Sequence, residues 1–419
     1  MFNFDSKLEN LADSALKKCE PIFKQIDCNT EYNQQKVLKA FIDCKVSESH
    51  FNASTGYGYD DRGRDTLDEL YAKIFECEDA LVRHNFVSGT HALTVALFGV
   101  LRPGDKILSV TGTPYDTLLS VIGENENSCG SLKEFGVQFD YIELKKDGEP
   151  DYDKIRNSLK NSYKAVYIQR SRGYSLRKSL YVADIQKIIK TVKEISPTTI
   201  VMVDNCYGEF VELSEPTKVG ADLIIGSLIK NAGGGLAPTG GYIAGRKDLV
   251  EMCSYRLTTP GTGREIGASL GQNRQLFMGI FNAPHVVGEA LKTAVFSSAI
   301  FENLGYEVFP KYDEHRSDII QAIKLNNPQS LIAFCKGIQS GSPVDSFVSP
   351  EPWDMPGYDS QIIMAAGTFT LGASIELSAD APLRDPYAVW LQGGINFHSA
   401  KVGVMCAIQN LIDSKNLSL

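Results

Sequence analysis

The 419-residue sequence has no uninterrupted apolar run of about 18 residues, so no membrane-spanning helix is expected. Its nine cysteines form no CxxC or CxxH pair, and its six histidines no HExxH. That leaves neither a disulfide framework nor a metal site to read, and scattered cysteines suit reduced core thiols. The N-terminal MFNFDSKLEN lacks a basic stretch leading into an apolar one, so no secretory signal is expected and the reading is cytoplasmic. An excess of basic residues is missing too. With 42 Lys and Arg against 51 Asp and Glu, the net charge of −9 excludes a general nucleic-acid or anionic-membrane binder. There are no internal repeats. The 43% hydrophobic and 22% charged content is ordinary for a globular chain of two or three domains.

What is present is a change of pattern along the chain. Residues 1–50 are polar and helical, with Leu8, Leu11, Ala15 and Leu16, then Val37, Leu38, Phe41 and Ile42, at helical spacing. The turn-rich NASTGYGYDDRGR follows, and we set an N-terminal helical arm at 1–55; a helix is expected at 65–77. From about 80 to 245, short apolar runs alternate with helical stretches. Strands are expected at 80–87, 106–110, 137–144, 165–169, 199–204, 221–227 and 241–244, with helices such as 90–101 and 182–194 between them. This is the pattern of an α/β fold with a mostly parallel seven-stranded sheet, in a large domain at 56–285. A loop around Asn282–His285 leads to a helix at 286–304 and a strand in GYEVFP. Residues 286–419 read as a smaller C-terminal α/β domain, with antiparallel hairpins at 337–377 and a long lid-like loop at 340–358.

Two glycine motifs fail. GVLRPGDK (99–106) carries Asp105 where a P-loop needs lysine and reads as a helix-to-strand turn, and GYGYDDRG lacks a strand–GxGxxG–helix context. Arg170, Arg172, Arg177 and Lys178 cluster and read as an anion site for a small molecule rather than for nucleic acid.

A stronger constellation lies at strand ends. TTIVMVDNCYGEF brings Asp204 to the end of one strand, and ADLIIGSLIKNAGGG brings Ser227 and Lys230 to the end of the next. In open α/β sheets ligands sit outside the carboxyl ends of strands, so these side chains can converge. Pyridoxal phosphate (PLP) asks for this pair: a lysine for the Schiff base and a carboxylate for the pyridinium nitrogen. VSGTHALTVAL supplies a phosphate cradle, with Ser88 as N-cap and the N–H groups of Gly89 and Thr90 at the positive helix end. The plain alternative is a salt-bridged aspartate, a surface lysine and a good helix start.

These blocks resemble the fold-type-I PLP transferases, specifically the cystathionine/methionine-metabolism (γ) family. Within it they are most similar to the methionine γ-lyase-like branch labelled aluminium-resistance or cystathionine β-lyase-like. The likeness spans roughly 55–400. It rests on GYGYDDRGRDTLDELYAKIFECEDAL leading into VSGTHAL, then PYDTL, VDNCYGEF, GSLIKNAGGGLAPTGGYIAG and TFTLGASIELSADAPLRDPY.

The resemblance implies Lys230 as the Schiff-base lysine, with its pKa lowered by the site, and Asp204 as the ring-nitrogen partner. Cys206 takes the place of the small residue under the ring, and Tyr115 stacks on the other face and helps the leaving group depart. Ser88, Gly89, Thr90 and Ser227 match phosphate contacts. Tyr59 and Arg62 resemble a Tyr-x-Arg pair that reaches the neighbouring subunit's phosphate, here spaced Tyr-Asp-Asp-Arg. Arg384 is the candidate for the substrate carboxylate. The Ser-Asn-Pro run that serves the ring oxygen is absent, and Ser171 or Arg172, the latter also a substrate-binding candidate, stands in its place. Ile229 replaces the usual threonine before the lysine, and Asp116 the usual glycine after Tyr115.

Tyr115 as a core-edge residue, Cys206 as a buried small residue and Arg384 as an ion-paired cap remain alternatives. His91 reads as packed rather than catalytic. The implied activity is a PLP-dependent carbon–sulfur lyase, performing β- or γ-elimination on a sulfur-containing amino acid in a homo-oligomer, a dimer of dimers. A transaminase or aldolase-type reaction and a non-catalytic PLP-binding protein are the other readings.

Overall fold

The computed structural model describes residues 2–124, 129–355 and 360–419, in two compact units: 33–281, and 1–32 together with 282–419. The alternating segments of the larger unit become a seven-stranded sheet. Its strands are β1 (Asp79–Arg83), β2 (Lys106–Ser109), β3 (Gln138–Tyr141), β4 (Ala165–Gln169), β5 (Ile200–Asp204), β6 (Leu223–Ser227) and β7 (Gly241–Gly245). The order is β1-β7-β6-β5-β4-β2-β3. Pairs from β3 through β6 are parallel, while β7 runs antiparallel to both β1 and β6. The five residues of β4, of β5 and of β6 are all buried, which is why these strands read as continuous apolar runs rather than alternating ones.

The helices are α1 (Ser6–Asp43), α2 (Arg62–Ile74), α3 (Gly89–Val100), α4 (Asp116–Ile122), α5 (Tyr152–Ser158), α6 (Val182–Ile195), α7 (Lys247–Leu257), α8 (Asn273–Asn303), α9 (Pro328–Ser340) and α10 (Phe397–Asp413). Leu93, Ala96 and Leu97 of α3 pack with Met202, Ile225 and Ile243 of the sheet and Val250 of α7 in one core. α3 and α7 approach closely at Gly99, where a Cβ would lie 3.0 Å from the Cα of Cys253. GVLRPGDK is indeed a helix-to-strand turn, with the Arg102 N–H donating to the Asp105 carboxylate at 2.7 Å.

The smaller unit holds an antiparallel sheet of order β10-β11-β12-β9-β8, from β8 (Glu307–Phe309), β9 (Gln321–Lys324), β10 (Ile362–Ala365), β11 (Ser378–Pro382) and β12 (Ala388–Gln392). The hairpins expected at 337–377 lie mostly further along, because 328–340 is α9, packed on α10 where a Cβ on Gly337 would lie 2.4 Å from the Cα of Ala407. Residues 341–352 form no helix or strand, and positions 356–358 of the expected loop lie outside the described residues.

The loop expected at Asn282–His285 is absent: those residues lie inside α8, with Pro284 in the helix interior. Ile280, Ala283, Val286, Val287 and Ala290 are all buried, and that apolar face outweighs the hydrogen bond that proline removes. The division between units falls within α1 and within α8, and the boundaries expected from the sequence pattern are near 55 and 285. Among the described residues, no helix is long and apolar enough to cross a membrane.

Candidate active site

Along β5, Ile200 and Met202 point into the core beneath α3, and the period of two continues that face to Asp204, the last residue of the strand. The register sets Asp204 opposite Gln169 at the end of β4 and Ile225 near the end of β6. Three apolar strands thus finish side by side in Gln169, Asp204 and Ser227, each buried. The N-terminus of α3 meets them from above. A Cβ on Gly89 would lie 3.3 Å from the Ser227 Cβ and 3.6 Å from the Cys206 Sγ, so glycine keeps this junction open.

Ser88 caps α3, its Oγ accepting from the His91 N–H at 3.0 Å. The first intrahelical bond is donated by Ala92 to the Ser88 carbonyl, so the Gly89 and Thr90 N–H groups precede the ladder. The His91 Nδ1 accepts from the Val87 N–H at 3.1 Å, and its ring lies 5.8 Å from that of Phe86. Tyr115 enters through hydrogen bonds. Its hydroxyl lies 3.0 Å from Thr90 Oγ1, which is 3.1 Å from Thr117 Oγ1, and its N–H donates to Gln169 Oε1 at 3.0 Å. Tyr167 donates to Asp204 Oδ2 at 3.5 Å, and the Cys206 N–H donates to Oδ1 at 3.1 Å. The Lys230 Nζ lies 3.9 Å from the centroid of the Tyr207 ring.

Burial pushes the Asp204 carboxyl above its ordinary range, and the facing Lys230 ammonium, the Cys206 N–H and the Tyr167 hydroxyl only partly offset it. Burial, then the Asp204 charge, pushes the Cys206 thiol and the Tyr115 phenol upward, so both stay protonated at neutral pH. Tyr115 is therefore equipped as a proton donor. Burial works against the Lys230 ammonium, and with Cys206 and Tyr115 protonated it is the Asp204 charge that opposes burial and keeps the Lys230 pKa above its ordinary value.

The residues present fit PLP. The Ser227 hydroxyl is buried without a hydrogen-bond partner, beside a glycine that leaves room where a side chain would fill the cradle. Two helix N–H groups and the Ser227 and Thr90 hydroxyls are a donor set for a phosphate, with a buried carboxylate and an amine beyond it.

Tyr59 is 61% exposed, with its ring 5.8 Å from that of Tyr57, and Arg62 is exposed at the first turn of α2. Ser171 and Arg172 are buried just after β4. Arg384 belongs to the smaller unit, exposed in the turn between β11 and β12, where its N–H donates to the Pro382 carbonyl at 2.8 Å.

Two of the four basic residues, Arg170 and Arg177, are engaged within the chain itself. Arg170 is fully buried and donates to Asn205 Oδ1 at 2.7 Å, Glu212 at 2.8 Å and Glu215 at 3.4 Å. Arg177 gives its guanidinium to the carbonyls of Gln169, Ser171 and Lys178. These cations hold the chain after β4.

Sequence reasoning missed Gln169, Tyr167, Thr117, Tyr207 and Glu209. Gln169 carried the same signal as Asp204, a polar residue closing an apolar strand. Glu209 is wholly buried and accepts from the Tyr242 hydroxyl at 2.7 Å, where a Cβ on Gly226 would collide with both side chains. Burial pushes its carboxyl from 4.5 up to about 8. A folded-state value above the unfolded one means that stability from this proton is fully present below pH 4.5 and is lost as pH rises toward 8. We therefore expect E209Q, which cannot titrate, to gain on wild type by about 1.4 kcal/mol per pH unit across that window. Thermal unfolding at both ends of the window measures it; a difference independent of pH would refute the assignment.

A family model described as methionine gamma-lyase matches residues 8–412. The chain is 54% identical to a carbon-sulfur lyase involved in aluminum resistance from Clostridium novyi NT, with a TM-score of 0.94 over 97% of this chain and 96% of that one. It is 50% identical over 395 residues to the uncharacterized protein YnbB of Bacillus subtilis (strain 168), 94% of each chain. A pyridoxal-5'-phosphate dependent protein, YhfS from Escherichia coli, shares the fold at 14% identity, covering 91% of this chain and 96% of that one with a TM-score of 0.62. The architecture is that of the fold-type-I PLP enzymes.

Proposed function

Because the chain belongs to the methionine gamma-lyase family, we propose that it is a PLP-dependent carbon–sulfur lyase. It would eliminate a thiol from the β or γ carbon of a sulfur-containing amino acid, releasing ammonia and a 2-keto acid. The observation that carries this is the unpartnered, buried Ser227 hydroxyl and the Gly89 opening, with the buried Asp204 near enough to feel the Lys230 charge.

In this reading Ser88, Gly89, Thr90 and Ser227 would hold the phosphate, Asp204 the ring nitrogen, Cys206 the ring and Lys230 the carbonyl. When bound, PLP supplies a sink for negative charge at the substrate Cα. Asp204 keeps a proton on the ring nitrogen through its carboxylate. Lys230, once its amine is free and neutral, takes the Cα proton as general base. Tyr115, kept protonated by its buried setting and oriented by Thr90, donates to the departing sulfur. Arg172 and Arg384 are the proposed grips for the substrate carboxylate. Tyr59 and Arg62, exposed on the surface, are proposed to serve a second copy's phosphate in a cytoplasmic homo-oligomer, a dimer of dimers.

Borohydride reduction of the PLP-loaded protein followed by peptide mapping is expected to place the adduct on Lys230. Incubation with cystathionine, cystine or methionine is expected to release pyruvate from β-elimination or 2-oxobutyrate from γ-elimination. An adduct elsewhere, or no keto acid from any of the three, overturns the reading. G89V, which fills the cradle, is expected to weaken PLP binding at least about tenfold, measured by absorbance titration.

A further inference from the structure

The turn after β5 holds two bulky residues, Tyr207 and Phe210, in left-handed backbone at φ 72° and 63°. Aromatic side chains avoid this region, so it persists only where the surroundings impose it. They do so here from several sides. Asn33 donates to the Phe210 and Glu212 carbonyls at 3.1 Å each, and Glu215 Oε1 accepts from the Phe210 N–H at 2.9 Å. Gly208 lies on the Arg170 guanidinium, where a Cβ would fall 2.4 Å from its Nη1. The result is an aromatic face beneath an amine, with Lys230 Nζ 3.9 Å from the Tyr207 centroid, well inside cation–π range. The titratable groups facing Lys230 besides Tyr207 are the Asp204 carboxyl, the Cys206 thiol and the Tyr115 phenol.

We propose that Tyr207 is a positioning residue for Lys230, its ring face holding the ammonium in place whenever the amine is not bonded to the cofactor's carbonyl. The inference rests on Lys230 being the cofactor lysine. A lysine on a flexible four-carbon stem loses its position once it is free. A ring face attracts the ammonium and not the neutral amine, so it favours the form created when Lys230 takes a proton. It asks for no single donor direction, so it does not block the amine's return.

The test uses the full-length protein freed of PLP, acylated with trace acetic anhydride over a range of pH, with Lys230 reactivity read by peptide mapping. Asparagine tolerates left-handed backbone, so Y207N removes the ring without opposing the turn. Y207F is expected to titrate as wild type does. Y207N is expected to lower the pH midpoint of Lys230 by about 1.5 units, placing about 30 times more neutral amine below the midpoint. A Y207N profile with an unmoved midpoint and only a scaled rate would mean packing alone and overturns the proposal. So does a Y207F midpoint that falls as far as that of Y207N. Should Y207N lose its far-UV circular dichroism, Y207F and Y207W decide: both keep a ring face, and a lowered midpoint in both refutes it. Borohydride mapping of the loaded wild type stands apart. An adduct away from Lys230 sinks the cofactor assignment, whereas the titration of Lys230 reads the ring contact alone.

Discussion

Substitution of Lys230 by alanine is expected to lower keto-acid release by at least about 10³-fold and to remove the borohydride-trapped adduct. Two roles are lost together in this change. The amine that would bond the cofactor is gone, and so is the cation that offsets burial at Asp204. Without it the Asp204 carboxyl rises further above its ordinary range, which makes it a poorer partner for a pyridinium. K230R separates the two. Arginine restores a cation near Asp204 but neither forms the bond nor takes a proton at neutral pH. Turnover should therefore stay lost in K230R while PLP affinity recovers part of the way. Steady-state assays with absorbance titration of PLP decide it, and turnover by K230R within tenfold of wild type would refute the role given to the amine.

The parts of the site that were legible in sequence are those set by local rules. A strand buried on both faces is written as an apolar run, so the polar residue that ends it stands out, as Asp204 and Ser227 do at the ends of β5 and β6. The α3 cap was legible for the same reason, since Ser88 acts on a residue three positions away. What was hidden is non-local. Arg170 sits among other basic residues and looked like a surface anion site, but its acidic partners lie 42 and 45 residues downstream. The insertion of β7 between β1 and β6, antiparallel to both, leaves no mark on the composition of either neighbour. Pro284 reads as a break, and only the buried residues around it say otherwise.

Arg170 also carries the second large effect, an expected loss of about 3–5 kcal/mol of stability in R170A. The guanidinium is fully buried and bridges Glu215, Glu212 and the Asn205 side-chain oxygen. Its removal leaves Glu215, itself 2% exposed, as a buried carboxylate without its cation. Lysine at this position keeps the charge but has no fork to span three acceptors, so R170K should recover only part of the loss. The damage should extend to the site, because Glu215 and Arg170 together shape the turn that presents Cys206 and Tyr207. Glu215 holds the Phe210 N–H and the Asn205 side chain, and the guanidinium lies against Gly208. PLP affinity is therefore expected to fall in R170K as well, in a protein that remains folded. A double-mutant cycle with E215Q, read by urea unfolding, should return a coupling of about 0.5–3 kcal/mol. Additive losses would mean that the two side chains act separately, and an unchanged PLP affinity in R170K would mean that the turn keeps its shape without the fork.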